Sequence, residues 1–301
     1  MAGLKELRTR ISSITSTQKI TSAMKMVAAA RLKRAQDMLQ KSRSYSEDLL
    51  KVTGRLLKEM RQEEKDKKIT YLLPPVMRTP LKTQVYQLVV FSSDKGLCGS
   101  YNANVLKESL RRVNELLAES KQVKVLSLGK KAGEGLKRRC AGIEVEILDG
   151  FAAKGPDYDE TESFVNRLLD GYGKDFDVCE VVYTHFNSAI NREVKTEQFL
   201  PVSIDTADER FDNKVGDAYY GYEENKQAVL FDVMPFFVVN MMFQKLLHSQ
   251  TSEHGARMTS MDNATRNAKD MIGRLTLRYN RLRQSAITTE LIEIISGAEA
   301  L

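Results

Sequence analysis
The chain has 301 residues, 29% of them charged and 7% aromatic, with no tryptophan. That is lean for one globular core and suits a chain rich in exposed helix; the three scattered cysteines, Cys98, Cys140 and Cys179, argue against a disulfide framework or a zinc site and for a reducing compartment. The net charge of +6 is uneven, with +8 on residues 1–43, +5 on residues 257–283 and −7 on the remainder, so the two terminal segments call for an acidic partner: nucleic acid, an anionic lipid surface or an acidic protein collar.

The start, Met1 to Arg10, is charged and amphipathic, without the apolar run and small-residue cleavage site of a signal peptide. Because the helical seam opens at Leu4, this segment reads as mature protein. Leu4, Leu7, Ile11 and Ile14 form a clean heptad, and no glycine or proline interrupts the chain from Leu4 to Thr53. The next seam positions, Gln18, Thr21 and Lys25, are polar, and the apolar phase moves to Ile20, Met24 and Val27 before Ala28, Leu32, Ala35 and Leu39 restore it. The pattern predicts a local phase slip, which over- or underwinds a coiled coil. The seam weakens at Ser42 and Ser46 and resumes with Leu49, Leu56 and Met60. A helix continuous from Leu4 to Met60 would be about 85 Å long, too long to be buried, and is expected to project.

Pro74, Pro75 and Pro80 end that helix. Strands are predicted at Gln84–Phe91, Val123–Leu128, Ile143–Leu148, Val178–Phe186 and Glu193–Ile204, and helices at Val105–Leu117, Lys130–Arg139 and Glu160–Leu169. Alternating strands and helices imply a mostly parallel sheet, and a turn at Asn187–Asn191 adds an antiparallel edge. The apolar stretch Val229–Leu247 contains Asp232, Asn240, Gln244 and Lys245, which argues against a direct membrane span. Pro235 fits the first turn of a last helix running to about Ile295. Within it Met258, Met261, Thr265, Ala268, Ile272, Leu275, Tyr279, Leu282, Ala286 and Thr289 recur at spacings of three and four. Two long helices leaving one domain should pair antiparallel. The sequence therefore predicts an α/β protein: a long antiparallel coiled coil of N- and C-terminal helices plus a central Rossmann-like α/β domain. Its divisions fall at 1–70 (N-terminal coiled-coil helix), 76–205 (central α/β domain) and 211–301 (C-terminal coiled-coil helix).

The loop SSDKGLCGSYN (92–102), with Lys95, Gly96, Cys98 and Gly99, lies between a strand and a helix, where α/β domains bind phosphates. Its spacing fits neither G-x-G-x-x-G nor the P-loop, so a tight turn shaping a surface contact is the better reading. Cys98 would act as a nucleophile only with a histidine such as His185 beside it. The cluster Asp157, Asp159 and Glu160 lacks the calcium-loop pattern and reads as a solvated helix start. His248 and His254, six apart, do not form a ligand pair on one helix face. No metal, cofactor or catalytic residue is expected. Nucleic-acid binding has weak support, because aromatic residues for stacking are almost absent from the basic segments.

The opening Leu4-Lys5-Glu6-Leu7-Arg8, Thr17-Gln18-Lys19-Ile20-Thr21 and Ala23-Met24-Lys25-Met26-Val27-Ala28-Ala29 closely resembles the N-terminus of the gamma subunit of F-type ATP synthases. Ser92 to Gly99 resembles that family's central-domain loop. Ser252-Glu253-His254-Gly255-Ala256-Arg257-Met258, Met261-Asp262-Asn263-Ala264-Thr265, Tyr279 to Gln284 and Ile287 to Ile294 resemble its C-terminal signature. The resemblance spans the whole chain in order. It implies the bacterial type: a central rotor shaft coupling ion flow through the membrane c-ring to cycling of the catalytic beta subunits, non-catalytic itself. The implied partners are the hexameric ring of alpha and beta subunits, the epsilon subunit and the c-ring. The implied location is peripheral, on the cytoplasmic side of the bacterial plasma (inner) membrane. By the same resemblance Met24, Lys25, Arg283, Gln284 and Thr288 meet beta-subunit loops, and Ile287, Leu291, Ile294 and Ile295 form an apolar bearing tip. Tyr219, Tyr222 and Glu223 lie in a foot near the rotor ring and epsilon. No cysteine pair lies between Phe186 and Tyr222, so the thiol control of the photosynthetic type is not expected. A stand-alone α/β enzyme with a helical dimerisation arm and a basic coiled-coil nucleic-acid-binding protein are the alternatives.

Overall fold
The computed structural model describes residues 2–67, 70–80, 82–140, 142–151, 155–205, 207–208, 211 and 225–299. They run in the order α1 (Ala2–Lys67), β1 (Val85–Phe91), α2 (Tyr101–Ala118), β2 (Gln122–Leu128), α3 (Lys130–Arg139), β3 (Glu144–Leu148), α4 (Tyr158–Gly171), β4 (Val178–Phe186), β5 (Arg192–Leu200) and α5 (Lys226–Glu299). These residues divide into two compact units, 1–31 with 257–301 and 32–256.

The unit 32–256 is built on a five-stranded sheet in the order β3-β2-β1-β4-β5, with parallel pairing except for the antiparallel β4–β5 hairpin. The central strands are apolar on both faces, as a sheet covered twice requires. Leu88 and Val90 of β1 point into one core with Tyr101, Val105, Val113 and Leu116 of α2 and Ala132 and Leu136 of α3. Val89 and Phe91 point into the other, with Leu56, Leu57 and Met60 of α1, Phe164, Val165 and Leu168 of α4, and Leu230 to Leu246 of α5. The crossovers place α2 and α3 on one face and α4 on the other. Arg112 of α2 grips the buried Glu180 of β4 through two hydrogen bonds of 2.7 and 2.6 Å. Close approach requires glycine at two points. A Cβ on Gly129, at φ +107°, would lie 2.3 Å from the Ser92 carbonyl, and one on Gly54 of α1 would lie 2.4 Å from the Phe211 ring.

Several predicted boundaries move: α1 runs on to Lys67, and α2 starts at Tyr101 rather than Val105. β5 stops at Leu200 rather than Ile204, because Pro201 has no N–H to give the ladder. The last helix begins at Lys226, so Pro235 lies in its interior and not in its first turn. The missing N–H leaves the Phe231 carbonyl without its helical donor, but the buried neighbours Met234, Phe237 and Val238 hold the helix in the core. By length and composition α5 holds an 18-residue window apolar enough to cross a membrane, and half of that window is buried inside the molecule. In this unit α1 and α5 run antiparallel. Lys226 pairs with Glu59 at 2.7 Å, and Asn240 and Gln244 donate to the Ser46 hydroxyl at 2.9 and 2.7 Å.

In the unit 1–31 with 257–301 the two helices also run antiparallel, with Thr21 opposite Thr265 and Lys25 opposite Asp262. The seam from Met261 through Thr265, Ala268, Ile272 and Leu275 to Tyr279 faces inward as the spacing predicts, whereas the later seam positions Leu282 and Thr289 are exposed. On α1 the expected phase slip does not occur. Gln18, Thr21 and Lys25 keep the heptad and stay partly buried, while Ile20 and Val27 are 60% and 55% exposed. Polar partners across the seam explain this: the Thr265 hydroxyl donates to Thr21 at 2.8 Å, and the Lys25 ammonium lies 2.5 Å from Asp262. A matched polar pair holds a seam position that an apolar count assigns elsewhere.

Candidate functional site
In an open α/β sheet the ligand crevice lies at the carboxyl ends of the strands where strand order reverses, here between β1 and β4. In this chain α5 fills that crevice. Pairing of β1 with β4 ends at Val90–Val182, and β4 continues to Phe186. The edge left without a strand is completed by α5 side chains. The Thr184 amide donates to the Ser249 hydroxyl at 3.2 Å, the Ser252 hydroxyl donates to the Thr184 carbonyl at 3.1 Å, and the Phe186 amide donates to His248 Nδ1 at 3.3 Å. The buried Tyr101 hydroxyl donates to Ser249 at 3.4 Å; burial, followed by the charge of Glu253, pushes its pKa well above the usual tyrosine value.

The loop at the head of β1 closes on itself. Asn102 Nδ2 donates to Ser93 Oγ at 2.8 Å and to Cys98 Sγ at 3.1 Å, and Asn102 Oδ1 accepts the Ser93 amide at 3.1 Å. The Asp94 carboxylate accepts the amides of Lys130 at 3.0 Å and Gly150 at 3.1 Å, tying the loops after β2 and β3 to it. Gly99 has φ +58°, and Leu97 has φ +64° with its side chain exposed. Lys95, Gly96, Cys98 and Gly99 thus shape a braced turn. Cys98 is buried with its sulfur near Ser93, Asn102 and the Lys95 carbonyl, while His185 stacks on His248. Among the described residues no hydrogen bond joins Cys98 to His185, the base named for the nucleophile reading. Among the described residues no cluster of His, Cys, Asp and Glu could hold a metal ion.

The remaining sequence-predicted residues lie on the helices. Met24 is half-buried. Lys25 shares Asp262 with Arg266, and these two cations hold the Asp262 carboxyl below its usual value. Arg283, Gln284 and Thr288 are exposed on α5, with the Thr288 hydroxyl donating to the Gln284 carbonyl at 2.9 Å. Ile287, Leu291, Ile294 and Ile295 are exposed, Ile294 by 68%. Sequence reasoning missed the exposed Met26 beside Val27 and the exposed Ile292 at the tip. Both follow from the strict heptad, which turns positions 26, 27 and 292 outward. Tyr219, Tyr222 and Glu223 lie outside the described residues.

The model of the ATP synthase family matches residues 3–301. The chain is 42% identical over 309 residues to the ATP synthase gamma chain of Rhodospirillum rubrum and 41% identical over 302 residues to that of Erythrobacter litoralis, each match covering both chains completely. This chain belongs to the ATP synthase gamma chain family. Among solved structures, one chain of the Tetrahymena thermophila mitochondrial ATP synthase central stalk and c-ring structure matches over 81% of this chain and 99% of its own length, at 22% identity and a TM-score of 0.55. One chain of the Euglena gracilis mitochondrial ATP synthase rotor structure matches over 95% and 99%, at 14% identity and a TM-score of 0.58. These two likenesses show the same fold: long terminal helices with a parallel-dominated sheet between them. Membership of the gamma chain family at full length leaves neither the nucleic-acid-binding alternative nor the stand-alone enzyme with support.

Proposed function
We infer that this chain is the central rotor shaft of an F-type ATP synthase, a subunit that transmits torque and carries no catalytic site. Family membership over the whole length places it in such a complex. The observation that carries the mechanical reading is the antiparallel pairing of α1 with α5 through matched polar groups, combined with the α5 side chains that complete the β4 edge. The first resists slippage of one helix along the other, since a misregistered polar pair would be left unsatisfied. The second fastens α5 to the sheet, so a turn applied to the sheet is passed to the helix.

On this reading the three chain segments 1–70, 76–205 and 211–301 act as a shaft helix, a foot and the second shaft helix. The shaft turns inside the ring of alpha and beta subunits, and the foot meets epsilon and the c-ring. Ion flow through the c-ring drives the cycling of the catalytic beta subunits. Met24, Lys25, Arg283, Gln284 and Thr288 meet beta-subunit loops. Exposed ion pairs contribute about 1 kcal/mol or less, so they can be exchanged as the shaft turns. Ile287, Leu291, Ile294 and Ile295 supply non-directional apolar contact suited to a bearing. The chain sits peripherally on the cytoplasmic side of a bacterial plasma membrane, and its bacterial relatives support that placement.

The test is recovery of the tagged full-length chain from gently lysed cells. Co-purification with ATPase subunits is expected, and deletion of residues 258–301 should abolish coupled ATP synthesis. A chain that emerges alone, or a truncation that leaves coupled synthesis intact, overturns the reading.

A further inference from the structure
One group of titratable side chains meets the reading above only through His248, which helps complete the β4 edge. The period of two along β4 puts Tyr183 and His185 on one face, and the β5 register sets Lys195 opposite Tyr183, Glu193 opposite His185 and Glu197 opposite Val181. Across this face lies α5, with Lys245 and His248 one turn apart. The His185 and His248 rings are stacked, with centroids 4.2 Å apart and planes at 23°. Lys245 sits 4.6 Å above the Tyr183 ring and pairs with Glu197, which also accepts the Tyr183 hydroxyl at 2.8 Å. His248 Nδ1 accepts the Phe186 amide, and His185 Nδ1 is buried without a hydrogen-bond partner.

We propose that the stacked His185–His248 pair is a proton-operated clasp, which holds α5 to the end of β4 while both rings are neutral and loosens it when they take up protons. Accepting the Phe186 amide needs a bare lone pair on His248 Nδ1, so the neutral ring carries its proton on Nε2. A proton on Nδ1 turns that acceptor into a donor facing a donor. Two imidazolium rings at stacking distance repel each other, and because both residues are partly buried, solvent screens that repulsion incompletely.

The charged and titratable groups facing the pair are Tyr183 from β4, Glu193, Lys195 and Glu197 from β5, and Lys245 from α5. The two lysines oppose a further positive charge and the two glutamates favour it, but Glu197 is already engaged by Lys245 and Tyr183. Burial, followed by the charges of His185 and Lys245, lowers His248 from its ordinary 6.5 to about 4. Burial, followed by Lys195, lowers His185 as well. Both groups therefore bind protons less readily in the folded chain than in the unfolded one. The stability they contribute is complete above about pH 6.5 and declines as pH falls from there towards about 4.

The test is hydrogen–deuterium exchange of the full-length chain between about pH 7.5 and about pH 5, corrected for intrinsic exchange. Peptides covering the end of β4 and the His248 turn of α5 should open about tenfold more readily at the acid end. In the His185→Phe/His248→Gln double variant, which keeps a ring and a neutral acceptor, the change should stay within about twofold. Unchanged wild-type protection across the range, or a double variant following the wild-type curve, overturns the clasp. Should the double variant fail to fold by circular dichroism, NMR titration of the wild-type histidine ring protons decides. A His248 midpoint below 6.5 is expected, and one at or above it overturns the proposal. The clasp is a property of the chain alone, so its failure leaves the rotor-shaft reading untouched, and failure of that reading leaves the clasp.

Discussion
Lys245 is a cation with only 8% of its surface exposed. Stripping an ammonium of water is tolerable only if other groups replace the lost solvation, and here the Glu197 carboxylate and the Tyr183 ring do so. Glu197→Gln is expected to lower unfolding stability by about 2 kcal/mol, a figure already reduced for the partial exposure of Glu197. Lys245→Met should cost less, because the freed carboxylate can turn towards water. Urea unfolding of both variants checks the order. Burial would raise the pKa of Glu197, but the Lys245 ammonium and the Tyr183 hydroxyl outweigh it and hold the carboxyl below its usual 4.5. The stability from this group is therefore present above about pH 4.5 and lost as pH falls through the lowered pKa. Glu197→Gln should remove that part of the acid dependence, as thermal melts over an acid pH series would show.

Between the helices, polar pairs set the register. Asn240 is buried and depends on the Ser46 hydroxyl, which also receives Gln244. Ser46→Ala leaves a buried amide unpaired and should destabilise the chain by about 1–2 kcal/mol. Ser46→Ala with Asn240→Leu should recover most of the loss, since an apolar pair replaces the polar one. A double-mutant cycle in urea measures that coupling. Pro235→Ala should raise the melting temperature, because it restores an N–H to the interior of α5. The same polar pairs mark the limit of what could be read from the chain. Strand and helix periods gave the sheet, the α2 and α3 helices and the inward seam of α5, because apolar burial decides those positions. The apolar pattern misleads at Thr21 and Lys25 because Thr265 and Asp262, which satisfy them, lie more than two hundred residues away in the sequence. The junction of His248, Ser249 and Ser252 with β4 was hidden for a similar reason. Nothing local shows that β1 will stop short of Thr184.

For the whole molecule, solubility and partner choice depend on where charge and apolar surface are shown. Positive charge is concentrated on residues 1–43 and 257–283, while the remainder carries −7. Exposed isoleucines close the C-terminal end of α5. Ile294→Ser with Ile295→Ser should shift unfolding stability by no more than about 0.5 kcal/mol, because neither side chain is buried in the chain itself. Coupled ATP synthesis should fall if the tip acts as a bearing, and assays of membrane vesicles would show it.

The three α5 side chains that complete β4 also bear on the order of biosynthesis. The sheet is translated well before its last wall, so a nascent chain ending near residue 225 carries a β4 whose far end has one bare edge, open to pairing with other strands. A stalled ribosome–nascent chain of that length should be cut readily by protease between residues 178 and 200. A chain extended until residue 256 clears the exit tunnel should resist, because its own late-arriving helix now shields the strand.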